Sequence, residues 1–228
     1  MNLGVLVLER LANGSMERIV FSPDWIYSDH TIYRWCSNIL KGLTYLHSIN
    51  VIHADIKLSN LMLDSNFVAK IGDFDLSLLD EVSGRSEKTV GTDRTRAPEL
   101  WIDNHVSRKI DVWSFGVVLW ELIGRKWCFG QESYILIELS QKGKLEPPKF
   151  QFNHPLCDFI TLCNIPSRIA RPTSKIVFKF LLELIETESV NFMMRSFTPE
   201  TCRDAVELIE EKDMMISMGL NLFPFFSY

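Results

Sequence analysis

The chain has 228 residues, 46% of them apolar and 23% charged, with a net charge of −5, an ordinary globular composition that argues against disorder. Its Lys and Arg residues are scattered along the sequence, so it carries no electrostatic footprint for nucleic acid or an anionic membrane. Cys36, Cys128, Cys157, Cys163 and Cys202 offer neither a C-x-x-C pair nor a zinc spacing, which reads as the reduced thiols of a cytoplasmic protein.

The apolar start, Leu3 to Leu8, is cut short by Glu9 and Arg10. It is too short for a signal peptide or a membrane span and reads as a buried strand. Asn13-Gly14-Ser15 then signals a turn and a helix start. From Ile32 to His47 the apolar residues Ile32, Trp35, Cys36, Ile39, Leu43 and Leu46 recur every three or four positions, predicting a helix with one buried stripe. Val51-Ile52, Leu61 to Leu63 and Phe67 to Ile71 are short apolar pieces between polar loops and read as small strands. Residues 75–98 lack periodicity and read as a long irregular segment, of the kind that is often functional. Helical patterns follow at 111–123, near 131–142, near 155–163 and at 173–186, punctuated by Pro147-Pro148 and Pro166. A last amphipathic helix is expected from Thr198, where Pro199 fits the first turn and Cys202, Ala205, Val206 and Ile209 share a face.

The chemistry-bearing residues lie in two neighbouring loops, His53-Ala54-Asp55-Ile56-Lys57-Leu58-Ser59-Asn60 and Gly72-Asp73-Phe74-Asp75. Together they offer carboxylates, an amide oxygen and an ammonium. Phosphoryl transfer asks for that set: metal held against the phosphates, charge neutralisation, and a carboxylate to orient the attacking hydroxyl. Any one of these residues alone reads as a capped loop or surface charge. The ordered set does not.

The first loop resembles the catalytic loop of eukaryotic protein kinases, and Asp73-Phe74-Asp75 resembles their Asp-Phe-Gly metal-binding turn. Gly91-Thr92 with Ala97-Pro98-Glu99 is similar to the close of the activation segment, and Asp111 to Gly116 to the start of the central buried helix. Arg171-Pro172 resembles the site of an arginine that pairs with Glu99, and Leu6 to Ser15 resembles the last N-lobe strand and the hinge. The resemblance covers about residues 3–185. It implies an α+β fold, a protein-kinase-like C-lobe that is mainly α-helical with a few short strands. It divides the chain into a kinase-like domain at 1–186 and a helical tail at 187–228.

By the same resemblance Asp55 is the base that orients a substrate hydroxyl and Lys57 steadies the γ-phosphate. Asn60 and Asp73 would hold Mg²⁺, backbone groups near Glu9 and Leu11 would meet the adenine of ATP, and Met62 would lie beneath it. Lys57 and Thr92 together look like the serine/threonine pattern, and the wording of Asp111 to Leu122 is similar to the tyrosine-kinase-like group.

The sequence also departs from the family. No G-x-G-x-x-G occurs, and the first lysine, Lys41, already lies in the second lobe; the Gly-rich loop and the strand lysine are expected to be missing, which leaves this chain alone inactive. Ala54 stands where the family usually has Arg, and Asp75 replaces Gly. Asp75 either perturbs the metal-binding turn or strengthens its pull on metal. Two readings follow: a serine/threonine kinase lobe that transfers phosphate when completed by an N-lobe, and a degenerate, pseudokinase-like lobe that binds a protein substrate or a partner kinase. Leu3, Val5, Leu8, Leu61 and Met62 are expected to be partly exposed where the other lobe would sit.

Overall fold

A computed structural model describes residues 7–80, 84–85, 90–129, 138, 140, 142 and 154–194, with backbone alone at 84–85 and 188–194. The expected buried strand at 3–8 lies outside these residues except for Val7 and Leu8, which correct it: neither is in a strand and both are exposed. The expected helix near 131–142 and the tail helix from Thr198 also fall largely or wholly outside them.

The elements run β1 (Gly14–Ser15), α1 (Met16–Val20), α2 (Asp29–Ser48), β2 (Val51–Ile52), β3 (Leu61–Leu63), β4 (Ala69–Ile71), β5 (Leu78–Leu79), β6 (Gly84–Arg85), α3 (Pro98–Ile102), β7 (His105–Val106), α4 (Lys109–Gly124), α5 (Cys157–Cys163) and α6 (Ser174–Met194). This is the expected α+β architecture, helices with a few short antiparallel strands. β1, β3 and β4 form one small sheet in that order, while β2 pairs with β5 and β6 with β7.

α2 starts where the Ser28 hydroxyl accepts the Thr31 amide, an N-cap that satisfies an otherwise orphaned donor. Its buried stripe, Ile32, Trp35, Cys36, Ile39, Leu40 and Leu43, faces the core. Each such side chain contributes about 1.5–3 kcal/mol when fully buried. Its last turn closes through the Ile49 amide on the Tyr45 carbonyl, and Asn50 then turns the chain at φ 62°.

α4 is buried all round from Ile110 to Leu122, the pattern of a helix at the centre of a domain. Val112, Phe115, Val118, Leu119 and Leu122 join the larger core beneath α2, α5 and α6. Ile110, Trp113 and Val117 join a smaller cluster with Ile52, Ala54, Val90, Ala97 and Leu100. One helix therefore ties the main core to the polar loops. It ends at Arg125, left-handed at φ 49°, whose amide reaches the Glu121 carbonyl.

Two expectations are corrected. Leu61 is fully buried, because β3 lies between β1 and β4 and turns Leu61 and Leu63 inward while Met62 is half-buried. Phe67 and Val68 belong to a turn before β4, since the Asp64 carboxylate accepts the amides of Asn66 and Val68 and Phe67 takes φ 56°. Leu78–Leu79 and Gly84–Arg85 add two short strands inside the segment expected to be irregular. α6 begins close to its expected start and runs on past Glu186 to Met194.

Candidate active site

The first turn of α4 holds the catalytic-loop-like segment. Asp111, wholly buried, accepts the His53 amide on Oδ2 at 2.9 Å and the Ala54 amide on Oδ1 at 2.8 Å. His47 Nε2 meets the same Oδ2 at 2.9 Å, and His47 Nδ1 meets Ser174 Oγ at 2.7 Å. The neutral arrangement that satisfies all three groups has the proton on Nε2, donated to the carboxylate, with the Ser174 hydroxyl donating to Nδ1. Ala54 is held at φ 65°, a region that disfavours a residue with a Cβ. Gly91, at φ 82°, passes so close that a Cβ there would lie 3.0 Å from the Ala54 carbonyl oxygen.

Beyond this anchor Ile56 and Leu58 point into the core, and the polar residues between and after them meet one another. The Asp55 carboxylate accepts the Thr92 hydroxyl on Oδ1 at 2.7 Å and the Asn60 amide on Oδ2 at 2.9 Å. Lys57 Nζ lies 2.7 Å from Asp55 Oδ2 and donates to Thr92 Oγ1 at 2.9 Å. Burial pushes the Asp55 carboxyl up, but the Lys57 ammonium, the Thr92 hydroxyl and the Asn60 amide together outweigh it and hold it below the usual range. Asn60 also donates to the Asp55 carbonyl at 2.9 Å, so its Nδ2 is fully engaged and Oδ1 is the end left for a cation.

The turn carrying Asp73 is sewn to this loop by backbone. The Gly72 amide donates to the Asn60 carbonyl at 2.9 Å, and His53 Nε2 donates to the Gly72 carbonyl at 3.0 Å. The His53 and Phe74 rings meet edge-on at 5.0 Å. Asp73 sits at φ 60° with an exposed side chain. Asp75 is not among the residues with positive φ, so the left-handed position of this turn is Asp73, and the Cβ that Asp75 adds brings no left-handed strain. Asp75 is exposed, and its amide is 3.5 Å from Asp73 Oδ1.

The activation segment closes on a guanidinium. Arg96 donates to the Val90 carbonyl at 3.0 Å and the Gly91 carbonyl at 2.7 Å, pairs with Asp93 at 3.2 Å and lies over the Trp101 ring at 4.1 Å. Glu99 receives both terminal nitrogens of Arg171, at 2.7 and 2.9 Å. The arginine expected at this place is there, and the pair is buried.

Glu9 and Leu11 lie at the edge of the small sheet. The Glu9 carboxylate is exposed and pairs with Lys70 at 2.6 Å, while the Leu11 carbonyl accepts the Gly14 amide at 3.2 Å. Met62 stands opposite Lys70 and Ser15 in β3. The fold thus brings Asp55, Lys57, Asn60 and Thr92 into direct contact, and ties Gly72, the residue before Asp73, to Asn60 by one backbone hydrogen bond. Sequence reasoning gave Asp111 no part in holding the loop and passed over His47 and Ser174 altogether. Arg96 was passed over as well. The sequence signal for Asp111 was its place in the first turn of the most apolar helix, where a carboxylate needs buried donors.

The protein kinase domain model matches residues 2–187 of the chain. The chain belongs to the protein kinase family. This kinase domain is 38% identical over 134 residues to the serine/threonine-protein kinase NLK2 of Xenopus laevis, covering 58% of this chain and 30% of that protein. It is 35% identical over 121 residues to the serine/threonine-protein kinase STY46 of Arabidopsis thaliana, covering 53% and 21%. It is 39% identical over 125 residues to a probable LRR receptor-like serine/threonine-protein kinase of Arabidopsis thaliana, covering 52% and 12%. The chain therefore spans less than a third of the length of these relatives. No helix among its described residues is long and apolar enough to cross a membrane.

The donor chemistry fits Mg²⁺. Asp73 and Asn60 offer two hard oxygen donors, with Asn60 Oδ1 left free of the hydrogen bonds that engage its Nδ2. Mg²⁺ suits such a sparse set, since it retains waters and takes its remaining ligands from phosphates.

Proposed function

We propose that this kinase domain is a serine/threonine kinase catalytic lobe, which moves a phosphoryl group from Mg-ATP to protein Ser or Thr hydroxyls when a nucleotide-gripping lobe completes it. The observation that carries this reading is the Asp55 carboxylate, pinned by Thr92, Lys57 and Asn60 in one hydrogen-bonded group.

In this reading Asp55 orients the substrate hydroxyl and accepts its proton, and its depressed carboxyl keeps it ionised for that purpose. Lys57 neutralises charge on the transferred phosphate. Thr92, which now bridges the two, fixes their spacing. Asp73 and Asn60 would hold Mg²⁺, which screens the phosphate charges when bound. Glu9, Leu11 and Met62 would frame the adenine. The division into a kinase-like domain at 1–186 and a tail at 187–228, a cytoplasmic location and a protein substrate or partner kinase belong to the same reading.

A second reading, a binding lobe without phosphoryl transfer, is favoured by Ala54, which supplies no cation beside the activation segment, and by the second carboxylate at Asp75. The chain fused behind the nucleotide-gripping lobe of a serine/threonine kinase, given labelled ATP, Mg²⁺ and a peptide mixture, separates the two. The kinase reading expects labelled phosphoserine or phosphothreonine, reduced at least about a hundredfold by Asp55→Asn. A folded fusion that binds ATP and labels nothing would favour the binding reading.

A further inference from the structure

Asn50, Asp80 and Arg108 come from three separate stretches: the end of α2, the end of β5 and the residue before α4. The Arg108 guanidinium donates through Nε to the Asp80 carboxylate and through Nη2 to Asn50 Oδ1 at 2.7 Å. The Asp80 amide donates in turn to the Asn50 carbonyl at 2.8 Å. The three residues thus close a ring in which every bond joins distant parts of the chain. Side chains of Asp80 and Arg108 are 18% and 39% exposed, so the pair is partly shielded from water.

The position of this ring gives it consequence. Asn50 leads directly into β2, the strand before the catalytic-loop-like segment, and Asp80 directly follows β5, its pairing partner. Arg108 flanks the same first turn of α4 from which Asp111 grips His53 and Ala54. The lead-in to residues 53–60 and the lead-in to the activation segment are therefore fastened at one point, to one guanidinium. Arg96 performs the matching service at the far end, on Val90, Gly91 and Asp93. Ala54, between these anchors, contributes no charge.

We propose that Arg108 is a positioning residue that latches the start of the activation segment to the catalytic-loop side of the lobe through Asp80 and Asn50, so that a charge pair present in the unmodified chain orders this junction. The latch does not depend on whether the lobe transfers phosphate. An arginine suits it because a planar fork can address a carboxylate and an amide oxygen at once, which a lysine cannot do with the same geometry.

Hydrogen exchange on the full chain, read by mass spectrometry on peptides covering residues 74–80 and 50–54, tests the latch. Arg108→Gln and Asp80→Asn are each expected to speed exchange there about three- to tenfold, the scale for losing a partly shielded charge-assisted pair. Exchange in α4 and α5 should stay unchanged, and 1 M NaCl should reproduce part of the effect in the wild type. The exchanged pair Asp80→Arg with Arg108→Asp should return the rate toward wild type, while Arg108→Lys should fall between. Unchanged local exchange in both single variants would overturn the proposal. So would a uniform rise across the molecule, or a failure of the exchanged pair to restore protection.

Discussion

Arg171 lays both terminal guanidinium nitrogens on the Glu99 carboxylate, at 2.7 and 2.9 Å, and both side chains are buried. The same guanidinium donates to the carbonyls of Ile165, Lys109 and Pro166, so one cation joins the end of the activation segment, the start of α4 and the loop after α5. A buried pair of this kind adds little over an apolar contact, yet removing one partner strands the other charge. Arg171→Met is therefore expected to destabilise the chain by about 3–5 kcal/mol in urea unfolding. A loss below 1 kcal/mol would show that the pair is not desolvated.

Thr92 acts on Asp55 through a single hydroxyl. Thr92→Ala removes a donor from the carboxylate and an acceptor from Lys57, and the carboxyl pKa, followed by carbon chemical shift, should move up toward the ordinary range. Thr92→Ser should keep it low. The sign for stability follows: a depressed carboxyl stabilises the fold above its unfolded value, and the contribution disappears as pH falls through the folded one. Thr92→Ala should accordingly be less stable than the wild type near neutral pH, lose less stability on acidification, and level off at higher pH.

Glu121 has the opposite behaviour. It is buried in α4 with the Cys128 amide 3.3 Å from Oε1, and burial pushes its carboxyl from 4.5 to about 7, against the pull of that amide and of Arg94. A carboxyl raised by folding favours the native state below about 4.5, and that advantage is lost as pH rises through about 7. Glu121→Gln should therefore gain on the wild type as pH rises through that window, by up to about 3 kcal/mol. Below it the difference should stay flat, and a pH-independent difference in melting curves throughout would contradict the assignment.

Ala54 holds φ 65° only because Asp111 takes its amide and the smaller core packs its side chain. Ala54→Gly relieves the left-handed cost, partly offset by greater freedom in the unfolded chain, and should stabilise by about 0.5–1 kcal/mol in thermal unfolding. A destabilised glycine variant would mean that packing of the methyl outweighs strain.

Much of this architecture was legible in the residues. The stripe from Ile32 to Leu46 marked α2, the helical pattern at 111–123 marked α4, and the two polar loops announced the site by composition and order. What stayed hidden depends on long-range closure. His47, Asp111 and Ser174 meet across 64 and 127 residues of sequence, and no local pattern reports such a meeting. Arg108 reads as one more scattered surface cation until folding sets it against Asp80 and Asn50. The three-residue strands β3 and β4 are too short for a period to emerge, which is why Phe67 reads as strand, and Leu61 reads as near solvent only because it was set on the face where the other lobe would sit. The sequence left Asp75 open between perturbing the metal-binding turn and drawing metal more strongly, and the backbone removes left-handed strain as a ground for the first, since the left-handed residue is Asp73.

In the proposed kinase reading Asn60 and Asp73 share a cation site beside Asp55, and Mn²⁺ in place of Mg²⁺ reads that site directly by paramagnetic broadening of amide resonances. With ADP present, the amides of Asn60, Gly72 and Asp73 should broaden first, and Asp73→Asn should abolish the pattern while leaving the α4 resonances in place. Broadening centred elsewhere, or unchanged in Asp73→Asn, would contradict the shared site.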